Sequence, residues 1–530
     1  MKKYLPFTIV LSVLLIIVAV LEFLALRKNN GIISYPLDDA FIHMAVAKNV
    51  AVHHVWGLSP SEWVSSSSSL LYTILLSLCF KIFGVAPWWP LVICAAGSIL
   101  LLWEMQRELA KYSGLSTQRQ TFGMLLTMFI APLPFMTILG MEHTVQMALT
   151  LIFTHRCVSR LMDDKYSLGD WIIPSLWGFL MVACRYENAY TVLGVCLILA
   201  FKRKIFAGGM LGLIAISPVI IFGLYMQSKG GYFLPNSLLL KGKLQVIGLL
   251  NDTKSFLELT SVMSGIFVIV VLVLADKFRR KEYDREFWAF IIFTFSATMH
   301  SFTAAAGYLY RYEAYLVVLG FFHLTIVFLK WYTPAKIKQT HTWAYAFVFG
   351  IFLFNLVPRA VNSFPHAIRC SGNIYDQQYQ MALFVKQYYN GSTVAANDVG
   401  AISFLGDITM LDLWGLGNNE VAKAKMNKTY NSAYLQNLVT RHNAKVAIIY
   451  DKWFEPDLST HWYKIATWEV PNNYICAEPI VSFYATVPET ADGMLTHLKE
   501  FESRLPQGVK VEYYYKPGSI NNSNTVLATN

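Results

Sequence analysis

The chain of 530 residues is 55% hydrophobic and only 14% charged, with a mean hydropathy of +0.43, whereas a soluble domain carries roughly 25% charged residues. That balance excludes an ordinary soluble protein and describes a polytopic membrane protein. The net charge of +10 is not a nucleic-acid signature, because the basic residues sit in short loops between apolar runs, and neither a metal-ligand spacing nor a phosphate-binding glycine loop occurs.

The first apolar run, 5–26, is too long for a signal-peptide core and has no small-residue cleavage site after it, so it reads as a retained transmembrane helix. Next comes YPLDDAFIHMAVAKNV, 35–50, with Asp38 and Asp39 adjacent at the mouth of that helix. Helix capping is one reading of the pair: Asp38 can accept from free backbone N–H groups, and Asp39 suits the positive end of the helix dipole. The serine tract Ser65–Ser69 feeds a run at 69–85 that contains Lys81 and reads as re-entrant or interfacial. Apolar runs follow at 88–106, 121–138, 142–160, 171–184, 187–201, 205–226, 261–276, 287–300, 314–330 and 341–357. With the basic clusters facing the cytoplasm, parity predicts about 11 crossings and a cytoplasmic N-terminus. The loops 27–68 and 227–260 and the C-terminal region from Pro358 then share the outer side.

Under that topology the unusual polar residues gather at one face. They are Asp38, Asp39, His43, Glu142, His143, Arg185, Glu187, Asn236, Lys241, Lys243, His300, Arg311 and Glu313. Local clamps, Arg185 with Glu187 and Arg311 with Glu313, explain part of the set; a wet cavity lined by acids at one end and cations elsewhere explains more of it. Transfer of a sugar from a lipid phosphate needs that arrangement. A carboxylate, Asp38, takes the acceptor hydroxyl's proton, and Asp39 helps electrostatically. Lys241, Lys243, Arg185 and Arg311 are the candidate partners of the leaving phosphate. A transporter or flippase, and a non-catalytic glycan-binding scaffold, are the alternatives.

The run LDDAFIHMAVAKNVAVHHVWGLSPSEWVSSSSSLLYTILL resembles the first outer loop of the GT-C membrane glycosyltransferases, and more narrowly the family around the mycobacterial terminal arabinofuranosyltransferases. LGMEHTVQMAL, YFLPNSLLLKGK, LYRYEAYLV and VAANDVGAISFLGDITMLDLWGL match further segments of that family in order. The resemblance implies a GT-C fold, a polyprenyl-phosphate sugar donor, a glycan or glycolipid acceptor and inverting transfer with the first acid of the pair, Asp38, as base. Glu142, His143, Asn236 and His43 are implied as further substrate contacts. It implies no nucleic-acid partner and no cofactor, leaves a divalent metal open, and fits a bacterial inner membrane with an outer C-terminal domain. The family's Tyr-Thr-Asn-Pro-Leu-Trp entry is replaced here by Ser65–Ser69, Leu70, Leu71 and Tyr72, so arabinose does not carry over.

In region 358–517, STVAAND, VGAISFLG and ITMLDLWGL read strand–helix–strand, and SAYLQNLVTRHN with AKVAIIYD and TADGMLTHLKEFESRLP with VKVEYYY each read helix–strand. Together they describe an α/β domain with a small, mostly parallel sheet; 518–530 reads as a disordered tail. Asp398, Asp407, Asp412 and Asp451 fall at predicted strand ends. Trp414 and Tyr375 suit either sugar stacking or the core, and Cys370 with Cys476 is the candidate disulfide pair of that region.

Overall fold

The protein is described by a computed structural model over residues 4–163, 167–241, 261–304, 307–331, 342–459 and 461–517. The predicted tail, 518–530, and Lys243 lie outside these residues.

Helix α1 (Leu5–Lys28) has Pro6 in its first turn and Arg27 and Lys28 in its last. It buries one stripe, Val10, Leu14, Val18, Leu21 and Ala25, and leaves Ile16, Val20 and Phe23 more than half exposed. Apolar side chains on the outer face suit a helix surrounded by hydrocarbon. Then follow α2 (Asp38–His53), α3 (Leu70–Phe83), α4 (Trp89–Leu109), α5 (Thr117–Ile130), α6 (Leu133–Ile138) and α7 (His143–Leu161). After these come α8 (Ile172–Cys184), α9 (Ala189–Phe201), α10 (Ile205–Ser228) and α11 (Asn236–Lys241). The bundle closes with α12 (Ser261–Arg280), α13 (Arg285–Thr303), α14 (Ala314–Trp331) and α15 (Thr342–Ile374). The protein is an integral membrane protein: α1, α4 and α10 are long and apolar enough to span a bilayer unaided, and shorter apolar helices pack with them. The run expected as one span at 121–138 is split, because Pro132 and Pro134 start a new short helix, α6. Gly140, at φ +71°, turns the chain into α7 beneath Tyr35; a Cβ there would lie 2.2 Å from the Tyr35 ring.

The serine tract is a structural device. Ser69 caps α3 by accepting from Tyr72 N, and Ser67 Oγ meets both His43 Nδ1 (3.0 Å) and Thr73 Oγ1 (2.7 Å). These bonds join α2 to α3.

The region expected to form the outer domain does not start at a loop after 357. Helix α15 runs through that point with Pro358 and Pro365 inside it, and passes through the turn Tyr375–Tyr379 into α16 (Gln380–Tyr388). A six-stranded sheet follows, in the order β2-β1-β3-β5-β4-β6. Its strands are β1 (Thr393–Ala396), β2 (Thr409–Asp412), β3 (Val446–Ile449), β4 (Tyr463–Glu469), β5 (Ile480–Ala485) and β6 (Lys510–Tyr513). Only β1 with β2 and β1 with β3 are parallel; the other three pairings are antiparallel, so the sheet is mixed. The strands β4 and β5, absent from the sequence reading, cause that difference. Helices α17 (Gly400–Leu405), α18 (Asn419–Met426), α19 (Ser432–Arg441) and α20 (Ala491–Glu502) complete the domain. Alternate strand residues face opposite ways: Val394, Ala396, Ile448 and Phe483 join the core that runs into the membrane bundle, while Ala395, Leu411 and Ile449 face a second, smaller core.

The expected Cys370–Cys476 bridge is not formed. Both are free and buried, and Cys476 Sγ instead donates to Asn373 O (3.4 Å) and Gln378 Oε1 (3.4 Å). Adding a reductant is therefore expected to leave the thermal unfolding midpoint of the purified protein unchanged; a fall of several degrees would indicate a bridge.

Candidate functional site at the junction of bundle and outer domain

Adjacent carboxylates on a helix start point about 100° apart, and here they divide between two surroundings. Asp38 is buried against the outer domain. Its Oδ2 accepts from Gly400 N (2.6 Å) and its Oδ1 from Ala401 N (2.8 Å), so it caps α17 across 362 residues of chain. Lys48, further along α2, donates to Phe404 O (3.0 Å) and Gly406 O (3.2 Å) at the other end of α17. An acceptor at the N-terminus and a cation at the C-terminus both suit the free backbone groups of a helix. Burial, then the neighbouring Asp398 carboxylate, push the Asp38 carboxyl well above the usual aspartate range, outweighing the two N–H donors. Asp398 in turn accepts from Tyr450 OH (2.8 Å) and Gln378 Nε2 (2.8 Å).

Asp39 faces the other way. Its side chain is 40% exposed, and its Oδ2 lies 2.7 Å from Arg311 Nη1. The Arg311 guanidinium lies beside the stacked pair Tyr308–Tyr312 (6.4 Å between ring centroids), 5.0 and 4.8 Å from the two rings, and also donates to Tyr312 OH (3.0 Å). These cation–π contacts hold the guanidinium in one place.

The expected clamp between Arg311 and Glu313 is absent: Glu313 accepts from Arg359 Nη1 (2.7 Å) and Gly307 N (2.9 Å). The Arg185–Glu187 clamp is present, with Nη2 to Oε1 at 2.5 Å and Nε to Oε2 at 3.1 Å. Arg185 Nη1 also reaches Glu142 Oε1 (2.7 Å), and Glu142 Oε2 lies 3.2 Å from His43 Nε2. Glu142 and His43 are buried, and this chain of polar contacts joins α2, the start of α7 and the end of α8. Two carboxylates already occupy Arg185. His143 is fully buried and its Nδ1 meets Gln146 Oε1 (3.3 Å), which places it in the packing between helices. Asn236, also buried, donates to Gly415 O (3.0 Å) and Asn419 Oδ1 (3.2 Å), tying α11 to the outer domain. Lys241 ends α11.

Of the four acids expected at strand ends, Asp398, Asp412 and Asp451 lie at or just past the carboxyl ends of β1, β2 and β3, and Asp407 precedes β2. Asp412 accepts from Trp414 N (2.7 Å) and Gly417 N (2.6 Å), so it shapes a turn. Trp414 packs on Trp453 (4.5 Å) beneath Lys425, and Tyr375 is buried on Tyr379 (5.8 Å). Both aromatics are thus engaged in packing. Sequence reasoning missed Lys48, Tyr308, Tyr312 and the partnership of Asp398 with Asp38; the aspartate–valine–glycine step of NDVG, which places a carboxylate and a bare backbone side by side, is the signal that could have raised the last of these.

A second cluster lies at the opposite end of the bundle, where ligand atoms of Glu104, Glu108 and His155 are within 4.8 Å of one another. Arg107 pairs with Glu104 (3.4 Å), while Lys111 and Arg285 pair with Glu108. Three cations already offset the two carboxylates, a donor set better matched to pinning α4, α7 and α13 together than to a divalent ion.

The close seat of Asp38 on α17 depends on Gly400. A Cβ there would lie 2.4 Å from Asp38 O and 2.5 Å from Asp38 Oδ2. Gly400→Ala is expected to loosen the outer domain, read as faster protease cleavage between the bundle and residues 393–517; unchanged cleavage would contradict the docking.

A family model described as a domain of unknown function (DUF8728) matches residues 370–484, which covers much of the outer domain. No curated protein matches the chain. Among solved structures, ArnT from Cupriavidus metallidurans in the apo state aligns over 91% of this chain and 99% of its own, with a TM-score of 0.50 and 11% identity. ArnT from the same organism bound to undecaprenyl phosphate aligns over 91% and 98%, with a TM-score of 0.51 and 10% identity. The Archaeoglobus fulgidus oligosaccharyltransferase tethered with an acceptor peptide aligns over 94% and 75%, at a TM-score of 0.44 and 12% identity. The chain therefore shares the fold of the two ArnT structures, a membrane bundle followed by a C-terminal sheet domain.

Proposed function

We propose that the protein is a membrane glycosyltransferase that moves a sugar from a polyprenyl-phosphate donor to a glycan or glycolipid acceptor, with inversion at the anomeric carbon. The observation that carries the reading is the half-exposed Asp39 carboxylate held against Arg311 at the head of α2. A GT-C fold shared with a protein that binds undecaprenyl phosphate supports it.

Asp39 is the base in this reading, in place of Asp38, because Asp38 is buried, committed to two N–H groups and raised toward its protonated form. The acceptor oxygen attacks the anomeric carbon as the bond to the phosphate oxygen breaks. The hydroxyl proton passes to Asp39, and the electron pair leaves on the polyprenyl phosphate. The transition state is oxocarbenium-like, so the Asp39 charge also stabilises the sugar. Arg311 orients Asp39, and Lys241 and Lys243 of the loop 227–260 supply positive charge to the leaving phosphate. Arg185, Glu142 and His43 brace the helices around the site. The bundle lies in a bacterial inner membrane with the sheet domain on its outer side, and a kinship with the arabinofuranosyltransferase-like branch rests on the ordered motifs alone. Incubating the purified chain with radiolabelled polyprenyl-phosphate sugars and an envelope extract is expected to label a glycan or lipid. No label from any donor would favour a transporter or scaffold.

A further inference from the structure

Where α1 ends, α15 and the loop between β4 and β5 close around a cavity of about 540 Å³. Its polar lining comes from Lys28, Arg369, Asn373, Asp376 and Asn472, with Ile368 on the apolar side. None of these residues belongs to the Asp39–Arg311 cluster or its supports.

Three features give the cavity a direction. First, an apolar stripe leads up to it. Val357 and Val361 on α15 are 50% and 56% exposed, and Pro365 and Ile368 continue the same helix face at spacings of four and three residues. On α1, Phe23 and Leu24 are likewise exposed one turn below Lys28. Apolar residues bare on a bundle in a membrane face acyl chains. Second, two cations stand at the top of that stripe, at the depth where long basic side chains reach for headgroups. Third, the cations are held in place. Arg369 donates to Asn472 O (3.3 Å) and lies over the Tyr474 ring (4.9 Å), which His366 stacks against (4.5 Å). The stem of Lys28 lies along Gly372, where a Cβ would come within 3.1 Å of Cε. Asp376 is a buried residue of the lining; burial pushes its carboxyl up to about 6 against the opposing charge of Lys28, and it is placed to take a hydroxyl or ammonium donor.

We infer that this cavity binds the headgroup of a phosphate-bearing lipid, with the phosphate between Lys28 and Arg369 and the acyl or prenyl chain along the stripe of α15. Paired cations suit a phosphate monoester or diester, and a headgroup N–H or O–H satisfies Asp376. The site does not depend on the transfer reaction, and two lipids carry this chemistry: a bilayer phospholipid and the polyprenyl phosphate itself.

Native mass spectrometry of the full chain in detergent tests it, titrating phosphatidylethanolamine, phosphatidylglycerol and undecaprenyl phosphate in turn. Lys28→Ala/Arg369→Ala is expected to weaken at least one of them by about tenfold or more, the loss of a charge-assisted hydrogen bond. Weakening confined to the two phospholipids makes this a bilayer-lipid site; weakening confined to undecaprenyl phosphate makes it a second seat for the carrier. Equal occupancy of all three lipids in both proteins overturns the inference. Should the double variant unfold, Arg369→Gln, a change at an exposed position, gives the same reading.

Discussion

Asp39→Asn is expected to lower sugar transfer from a polyprenyl-phosphate donor by about 10²–10⁴-fold, the usual contribution of a positioned base, with the unfolding midpoint unchanged. Asparagine keeps the size of aspartate and an oxygen that can face Arg311, but it cannot accept the acceptor's proton. The side chain is 40% exposed, and a solvent-open ion pair contributes little to folding. Measuring kcat and donor binding separately in the purified variant is the check. Donor bound normally with turnover nearly abolished places the proton transfer at Asp39. A variant that keeps a tenth or more of wild-type turnover removes it from that role, and the base must then be sought elsewhere at the head of α2.

Asp38 should respond in a different way. Asp38→Ala leaves the N–H groups of Gly400 and Ala401 without their acceptor in a buried place, a cost of about 2–4 kcal/mol. The result is expected as a lower unfolding midpoint and release of the outer domain to protease, with any loss of transfer following from that release. Asp38→Asn keeps an acceptor and should be far milder. Both substitutions also remove a titrating carboxyl from the junction. A carboxyl raised in the folded state contributes stability that is whole below the ordinary aspartate range and is lost as pH rises through its raised value. Glu62, pushed up to about 7 by burial at the same junction, acts in the same direction. Outer-domain docking should therefore weaken as the pH is raised through neutrality. Asp38→Asn should make that slope shallower, leaving the share of Glu62. A wild-type docking stability that rises with pH over this range would contradict the assignment.

Much of this molecule is legible in local pattern. Apolar runs mark the bundle helices because each must bury or expose a continuous hydrocarbon-compatible surface, and their limits agree with α1, α4, α8, α9 and α10 to within a few residues. In the outer domain β1, α17, β2, α19, β3, α20 and β6 were legible for the same reason, since alternation and helical spacing are properties of short stretches. The strands β4 and β5 were not, although they are the longest of the six: their pairing with β3 and β6 depends on partners distant in sequence. That pairing turned an expected parallel sheet into a mixed one.

What the amino-acid sequence determined by itself was the class of molecule: a membrane bundle, a C-terminal sheet-containing region, and a set of acids and cations near helix ends. Only the tertiary structure decided who pairs with whom. Arg311 has Glu313 two residues away, yet pairs with Asp39, while Glu313 is taken by Arg359. Asp38 and Asp39 are neighbours in the chain, yet one caps a helix of the outer domain and the other opens toward the site. The reason is physical. Buried charges and bare N–H groups must be matched where they are desolvated, and the partners that meet there are chosen by packing across hundreds of residues, which composition and periodicity do not record.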